Sequence, residues 1–214
     1  MTNLTERYFS VRDAIPQGVE LVVVSKKNPV ESIKAIYDNG QLAFGENKVM
    51  ELLEKQELLP PSIQWHLIGH LQTNKVKYIA PFVHLIQSVD SVKLAAEIDK
   101  QAKKCNRVIN CLLEVFIASE ETKFGMSFEE AEGFLKNEVQ KFPNIKITGV
   151  MGMATNTPNM EQVRLEFRSL ANFYKKYEKA FGFKHLSMGM TGDYKIAIEE
   201  GSNMVRIGSA IFNE

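Results

Sequence analysis

The sequence predicts an α/β protein whose strands close into a (β/α)₈ barrel. Three observations support this prediction: eight short apolar stretches recur along the 214 residues, each ends in Gly, Ser, Lys, Asn or Asp, and each is followed by helix-like sequence. Strands that alternate with helices require right-handed parallel crossovers, which leaves an open doubly wound sheet or a closed barrel. Eight repeats favour closure, and we expect residues 1–214 to form a single TIM-type domain.

The open sheet is the main alternative architecture. In a dinucleotide-binding sheet, the motif Gly-x-Gly-x-x-Gly follows the first strand, because its glycines let the backbone approach the pyrophosphate. The first turn of this chain, residues 25–29, has the sequence SKKNP and contains no glycine. The barrel therefore remains the predicted architecture.

The first repeat has the clearest boundaries. Residues 21–24 form a β-branched run of the kind that parallel strands bury on both faces. A helix is predicted to begin after Asn28 as N-cap, with Pro29 at its first position and Glu31 as the acid of a capping box. The Asn-Gly pair at 39–40 predicts a left-handed end to this helix.

The same alternation predicts the other seven repeats. The next three strands are predicted at 42–47, 63–69 and 84–90, with helices that run through Leu59, around 72–80 and over 91–104. The last four strands are predicted at 110–117, 147–154, 185–190 and 204–212, with a helix opened by a Ser127–Glu130 capping box, one within 160–181 and one over 193–200 that ends at Gly201.

Composition excludes several classes of function. Lys plus Arg equals Asp plus Glu at 26 each, so the chain lacks the positive field that attracts nucleic acid or anionic membranes. The first ten residues are polar and no long apolar run follows, so neither export nor membrane insertion is predicted. Cys105 and Cys111 are too few for a disulfide framework and lack zinc-site spacing. We expect a cytoplasmic monomer with a small-molecule partner.

Lys26 is the candidate for covalent chemistry. It follows the first strand, and the carboxyl ends of barrel strands form the working face. An amine in a dry cavity near other cations has its protonated form disfavoured, which makes it a nucleophile for aldehydes. Lys27 is a rival for this role, and a solvated loop lysine is the structural alternative for either.

Two turns are suited to a phosphate group. Residues 187–193 (SMGMTGD) end strand seven, and Gly208 and Ser209 end strand eight, where barrels commonly bind phosphate through backbone amides and hydroxyls. Helix capping and turn formation alone are the alternative interpretation. With Lys26, these turns indicate a phosphorylated aldehyde held at both ends.

Other polar side chains are placed at the same face. Arg206 lies two residues before Gly208, so it is predicted to point into the barrel, either toward a ring nitrogen of a ligand or into an ion pair with a carboxylate such as Glu46. Asn47 and Glu46 end strand two, and His66 lies on strand three, so all three are candidates to line the cavity. A hydrogen-bonded core position is the commoner role for one histidine.

The remaining motifs carry weaker expectations. Residues 70–75 are predicted as a loop and helix start on the same face, and Lys123 either reaches inward or belongs to a turn. Methionines beside glycines at 151–153 and 188–190 are interpreted as adaptable packing. The sequence shows neither a metal-ligand spacing nor a nucleophile elbow.

Five motifs in order along the chain resemble those of the YggS-like pyridoxal phosphate homeostasis proteins, whose fold is similar to the N-terminal barrel of alanine racemase. The motifs are VSK at 24–26, FGEN at 44–47, WHLIG with LQTNK at 65–75, SMGM at 187–190 and VRIGSAIF at 205–212. Two positions depart from the family pattern: Thr191 replaces a usual serine and keeps its hydroxyl, and Lys27 replaces a frequent threonine. Lys27 adds a second amine beside Lys26.

The resemblance implies a cofactor and its contacts. Pyridoxal 5′-phosphate (PLP) is expected as a Schiff base on Lys26, with Arg206 near the pyridine nitrogen and with Asn47 and His66 beside the cofactor. The phosphate is expected at Ser187, Met190, Thr191, Gly208 and Ser209.

From this expected site we predict a carrier and regulator of PLP without efficient amino-acid turnover, which releases or transfers the cofactor to other enzymes such as PLP-dependent apo-enzymes. Racemisation needs a second base, which in the racemase is a tyrosine from another domain, and eight repeats are expected to use essentially all of this chain. Arginine at the pyridine nitrogen also weakens the ring as an electron sink. The alternatives are a PLP enzyme of low activity, racemase-like or a decarboxylase, a Schiff-base aldolase or isomerase for sugar phosphates, and a cofactor-sensing interaction protein.

Overall fold

The strands form the predicted closed barrel. The computed structural model describes residues 3–120 and 124–212. Within these residues eight strands pair in parallel, each with the next in sequence, and the eighth pairs with the first. The strands are β1 (Glu20–Val24), β2 (Ala43–Glu46), β3 (Gln64–Leu67), β4 (Leu85–Val89), β5 (Ile109–Glu114), β6 (Ile145–Met151), β7 (His185–Ser187) and β8 (Met204–Ile207). The α/β barrel class is thereby confirmed.

Helices surround the strands. They are α1 (Leu4–Asp13), α2 (Val30–Asp38), α3 (Val49–Leu58), α4 (Val76–Ile79), α5 (Val92–Lys104), α6 (Phe128–Asn137), α7 (Met160–Phe181), α8 (Tyr194–Glu199) and α9 (Ser209–Phe212), with 3₁₀ turns at Thr73–Lys75 and Val139–Lys141. In the described ranges, none of these helices has both the length and the apolar character needed to cross a membrane.

The strongest local signals correspond to observed helix ends. The Ser127–Glu130 capping box opens α6, and α7 spans the predicted 160–181. Gly40 and Gly201 follow the ends of their helices as predicted, with φ values of 94° and 102°, and Gly40 has the predicted left-handed conformation.

The prediction at the start of α2 is wrong. Pro29, not Asn28, is the N-cap, and no side chain caps this helix, so Glu31 completes no capping box. Asn28 instead donates its side-chain amide to the Lys26 carbonyl at 3.0 Å. Asn28, which was expected to cap the helix, therefore has its side chain hydrogen-bonded within the turn after β1.

The prediction for strand eight is wrong beyond Ile207. The Gly208 carbonyl accepts the amides of Ile211 and Phe212 at 2.9 and 3.0 Å, so the chain turns into α9. Helix α1 was not predicted, because only Tyr8 along it is fully buried. Arg7 of α1 donates its Nε to the Ile211 carbonyl at 2.9 Å, which joins the two chain ends.

Apolar side chains pack in two layers. One layer lies between the strands and the helices, and a smaller one fills the barrel interior with Val22, Ala43, Leu85, Leu112, Met151 and Met204. Because side chains alternate along a strand, a residue two positions after an inner residue also points into the barrel, nearer its carboxyl end. Val24 follows Val22 by two positions and Arg206 follows Met204 by two, so both side chains point into the barrel.

Candidate functional site

A cavity of about 590 Å³ opens at the carboxyl ends of the strands. This volume is typical of a small-molecule site. The cavity is lined by Val24, Lys26, Lys27, Asn28, Asn47, Ile68, Met153, Met190, Thr191, Gly192, Arg206, Gly208, Ser209 and Phe212. Of the residues expected to contact PLP, the cavity lining includes all except Ser187 and His66.

Lys26 lies where the alternation of β1 places it. Val22 belongs to the inner layer and Val24 lines the cavity. Lys26 lies two residues further, just beyond the strand, and lines the same cavity. Lys26 and Lys27 are both exposed and both line the cavity. Lys27 has a left-handed φ of 63°, so the backbone turns sharply at this position.

Asn47 follows β2 and presents an unused acceptor at the cavity. Its Oδ1 is buried and has no hydrogen-bond partner. A buried polar atom without a partner costs free energy, so such an atom in a cavity wall is suited to a ligand donor. Gly69, which follows β3, packs against the backbone of Asn47: a Cβ built on Gly69 would lie 2.4 Å from the Asn47 carbonyl oxygen.

Glu46 does not line the cavity, which corrects the expectation for this residue. Its side chain is fully buried on the side of β2 that faces the helices, where its Oε1 accepts hydrogen bonds from Lys55 Nζ and Ser25 Oγ, both at 2.7 Å. Burial raises the pKa of Glu46, and the hydrogen bonds from Lys55 and Ser25 oppose this rise. The alternative in which Arg206 pairs with Glu46 is therefore wrong, because Glu46 forms its ion pair with Lys55.

The two predicted phosphate turns meet at one end of the cavity. The hydroxyls of Thr191 and Ser209 lie 3.0 Å apart, which joins the turns after β7 and β8. Gly208 packs against β1, since a Cβ there would lie 2.8 Å from the Val24 carbonyl oxygen. The side chain of Met190 is exposed in the cavity wall, while its backbone amide donates to Asp193 Oδ1 at 2.5 Å.

Arg206 points into the barrel, as the alternation of β8 predicts. Its Nη1 donates to Ser187 Oγ at 2.6 Å and its Nη2 to the Gly152 carbonyl at 3.1 Å. Burial lowers the pKa of Arg206 to about 10, against the opposing effect of Asp193 and Glu114. The guanidinium is still charged at neutral pH, and it lines the cavity wall.

Ser187 and His66 lie below the cavity, in the barrel interior. Ser187 is fully buried and donates its hydroxyl to Gln87 Oε1 at 2.6 Å, so Arg206 and Gln87 both engage it. His66 is 1% exposed and accepts from Gln87 Nε2 through its Nδ1 at 3.0 Å. Burial, with the nearby His84 and His185, lowers the pKa of His66 to about 3, so it is neutral. Its Nδ1 is thus hydrogen-bonded within the core, while its Nε2 is buried and has no hydrogen-bond partner.

Sequence reasoning missed two polar residues of this interior. Gln87 connects Ser187 to His66 and is fully buried. Glu114 is 3% exposed, and burial together with Asp90 raises its pKa to about 7, while Arg206 lowers it. Gln87 follows the inner residue Leu85 by two positions, so strand alternation provides the signal that finds it.

The other expected motifs contribute less to the cavity. His70 pairs with Asp90 at 3.0 Å and stacks on Phe124 with ring centroids 3.9 Å apart, beside but outside the cavity lining. Lys123 lies outside the described residues. Over 3–120 and 124–212, no group of three His, Cys, Asp or Glu residues is arranged to hold a metal ion, and both cysteines are free thiols.

Comparisons with known proteins identify the family. The family model "Alanine racemase, N-terminal domain" matches residues 1–214. The pyridoxal phosphate homeostasis protein of Aquifex aeolicus is 41% identical, over 99% of this chain and 98% of that protein. The human protein of the same name is 35% identical, over 91% of this chain and 76% of its own length.

Solved structures agree with these relatives. PipY of Synechococcus elongatus PCC7942, solved with PLP bound, superposes with a TM-score of 0.89 at 29% identity, over 99% of this chain and all of PipY. An alanine racemase of Clostridium difficile 630 shares the fold alone, with a TM-score of 0.79 at 12% identity, over 99% of this chain and 56% of the racemase. The chain therefore belongs to the YggS-like pyridoxal phosphate homeostasis proteins, within the alanine racemase N-terminal domain family.

Proposed function

We propose that this chain binds PLP as a reversible Schiff base on Lys26 and acts in intracellular PLP homeostasis. One observation carries the proposal: the Lys26 amine lines the same cavity as the paired hydroxyls of Thr191 and Ser209. A ligand with an aldehyde at one end and a phosphate at the other matches this arrangement. The name of the relatives and the PLP bound to PipY support the same ligand.

The residues of the cavity fit PLP. The volume of about 590 Å³ accommodates one small cofactor. The buried Oδ1 of Asn47 has no partner, so this side-chain amide is available to PLP, whose ring oxygen accepts a hydrogen bond from the amide Nδ2. We assign the phosphate to the turns that carry Met190, Thr191, Gly208 and Ser209. Ser187, whose hydroxyl already serves Arg206 and Gln87, supports this end from below.

PLP supplies an aldehyde when bound, and Lys26 supplies the amine. The neutral Lys26 amine attacks the aldehyde carbon, a C=N bond replaces the C=O bond, and the oxygen leaves as water with two protons from the amine nitrogen. Water reverses the step and restores both groups, so the attachment stores the cofactor without consuming it. Arg206 has donors only, so near the pyridine nitrogen it meets a lone pair and delivers no proton.

We further propose that the protein carries PLP and does not turn over amino acids efficiently. Racemisation requires a base on each face of a planar carbanion. Within the described residues, the cavity lining contains no Tyr, His, Cys, Asp or Glu, and its lysines are adjacent in the chain. An unprotonated pyridine nitrogen also weakens the cofactor as an electron sink. We propose residues 1–214 as one PLP-binding domain of a cytoplasmic monomer, with PLP-dependent apo-enzymes as recipients.

Borohydride trapping tests the proposed function. Protein incubated with PLP is expected to show the visible absorbance of an imine, and reduction should fix the label on Lys26. Lys26→Ala should abolish the absorbance yet retain part of the phosphate-driven binding. A colourless wild-type protein would refute the proposal. Steady amino-acid turnover would instead indicate an enzyme, and a reduced adduct with dihydroxyacetone phosphate, but not with PLP, would indicate an aldolase.

A further inference from the structure

The turn that carries Lys26 has an unusual backbone. The Ser25 carbonyl accepts the Asn28 amide at 3.1 Å, so residues 25–28 form a β-turn with Lys26 and Lys27 at its centre. Lys27 has a φ of 63°, which is the requirement of the third position of a type II turn and is usually met by glycine. A left-handed φ is unfavourable for a residue with a side chain, so contacts from outside the turn must hold it.

Three charged residues of β2 and α3 provide these contacts. We call Glu46 of β2 with Glu51 and Lys55 of α3 the Lys55 cluster. Lys55 Nζ donates to Glu46 Oε1 at 2.7 Å and to Glu51 Oε1 at 2.7 Å. Lys55 is 5% exposed and Glu46 is fully buried, so this ion pair is screened little by solvent.

The Lys55 cluster holds the turn on both sides of Lys26. Before Lys26, the Ser25 carbonyl accepts from Lys55 Nζ at 2.8 Å, and Ser25 Oγ donates to Glu46 at 2.7 Å. After Lys26, the Lys27 amide donates to Glu51 Oε1 at 2.5 Å. None of the three cluster residues lines the cavity. They therefore contact the backbone beside the reactive lysine and not the ligand.

We propose that the Lys55 cluster selects which of two adjacent lysines forms the Schiff base. Lys26 and Lys27 carry the same amine and line the same cavity, so their chemistry alone does not separate them. The backbone separates them, because the turn that the cluster holds keeps the side chain of Lys26 pointing to the same side as that of Val24, which lines the cavity. Glu46, Glu51 and Lys55 are thus positioning residues, and this inference rests on the proposed function.

The position of a borohydride-trapped label measures the selection. Wild-type protein and the variant Glu51→Ala are loaded with PLP and reduced, and fragmentation of the labelled peptide gives the ratio of Lys27 to Lys26 label. The Glu51 side chain is 23% exposed, so its removal leaves the Lys55–Glu46 pair and the fold in place. Loss of one hydrogen bond to a charged acceptor should raise the ratio about tenfold.

Two controls separate positioning from other effects. Glu54→Ala removes an exposed carboxylate from the same helix and should leave the ratio unchanged. Glu51→Gln removes the charge but keeps an oxygen that accepts the Lys27 amide, so its ratio should remain within about twofold of wild type.

Three outcomes would overturn the inference. An unchanged ratio in Glu51→Ala, with wild type labelled on Lys26, refutes the selection and leaves the proposed function standing. An equal rise in Glu51→Gln and Glu51→Ala would assign the effect to charge, not to position. Absence of label from wild-type protein would refute the proposed function itself, and the selection with it.

Discussion

Replacement of Lys55 by Met should destabilise the protein strongly. The substitution keeps the length of the side chain but removes the Nζ that donates to Glu46, Glu51 and the Ser25 carbonyl. The Glu46 carboxylate then stays fully buried with one remaining hydrogen bond, from Ser25 Oγ, while its Oε2 has no partner. An unpaired charge in such a position is the costly result of breaking a buried ion pair.

The size of the loss follows from the 2.7 Å contact between Lys55 Nζ and Glu46 Oε1. At an effective dielectric constant of about 20, this separation corresponds to about 6 kcal/mol of Coulomb attraction. Part of this is offset because the variant no longer desolvates an ammonium group, and measured losses for such pairs are about 3–5 kcal/mol. For a chain of this size, a loss of about 4 kcal/mol lowers Tm by about 8–16 °C.

Urea denaturation of Lys55→Met, with the double variant Glu46→Gln/Lys55→Met as control, checks this value. The double variant leaves no unpaired buried charge at positions 46 and 55, so its free energy of unfolding should return to within about 2 kcal/mol of wild type. A loss below about 1 kcal/mol in the single variant, or no recovery in the double, would refute this account of the ion pair.

The same variant has a defined pH dependence. Without Lys55, burial holds the pKa of Glu46 above its unfolded value, because the main opposing group is absent. A raised carboxyl pKa contributes stability below the unfolded value of about 4.3, and this stability is lost as pH rises through the folded pKa. The deficit of Lys55→Met relative to wild type should therefore be smaller at pH 5 than at pH 8.

Three further predictions concern other contacts. Gly208→Ala places a Cβ 2.8 Å from the Val24 carbonyl oxygen and should weaken PLP affinity about tenfold in a spectrophotometric titration, since the turn proposed to hold the phosphate must shift. Gly149→Ala places a Cβ 1.8 Å from the His185 carbonyl oxygen at a φ of 158° and should yield no folded protein by circular dichroism. Glu114 has a raised pKa of about 7, so its contribution to stability is lost as pH rises through this value. Urea unfolding should show that wild type loses up to about 3 kcal/mol of stability between pH 5 and pH 8, whereas Glu114→Gln does not show this loss.

The sequence predicted an element well where that element contained several independent local signals. Helix α6 combines a capping box with an amphipathic pattern, and α7 has a long apolar stripe, so both helix starts follow from sequence. Residues 210–212 were assigned to a strand because an apolar run is compatible with either state. The turn of Gly208 toward α9 depends on its close approach to Val24, which only the closed barrel creates.

In the site, the sequence predicted the direction in which side chains point but not their height along the barrel axis. Alternation along β8 correctly predicted that Arg206 points inward. Alternation does not give the height of a residue along the barrel axis, because barrel closure sets the stagger between strands. Ser187 and His66 therefore have the predicted direction but lie below the cavity. Glu46 was misplaced because Asn47, its neighbour, takes the inward position.

Three consecutive hydrogen bonds across the barrel interior run in one direction. Arg206 donates to Ser187, Ser187 donates to Gln87, and Gln87 donates to the neutral ring of His66. A Grotthuss relay requires every member to accept a proton on one side and release one on the other, and neither a guanidinium nor an amide does so near neutral pH. This row is therefore a proton insulator. If PLP binds Lys26 as proposed, the protons exchanged during hydrolysis of the imine do not come along this row, so the rate of hydrolysis should follow bulk pH without delay.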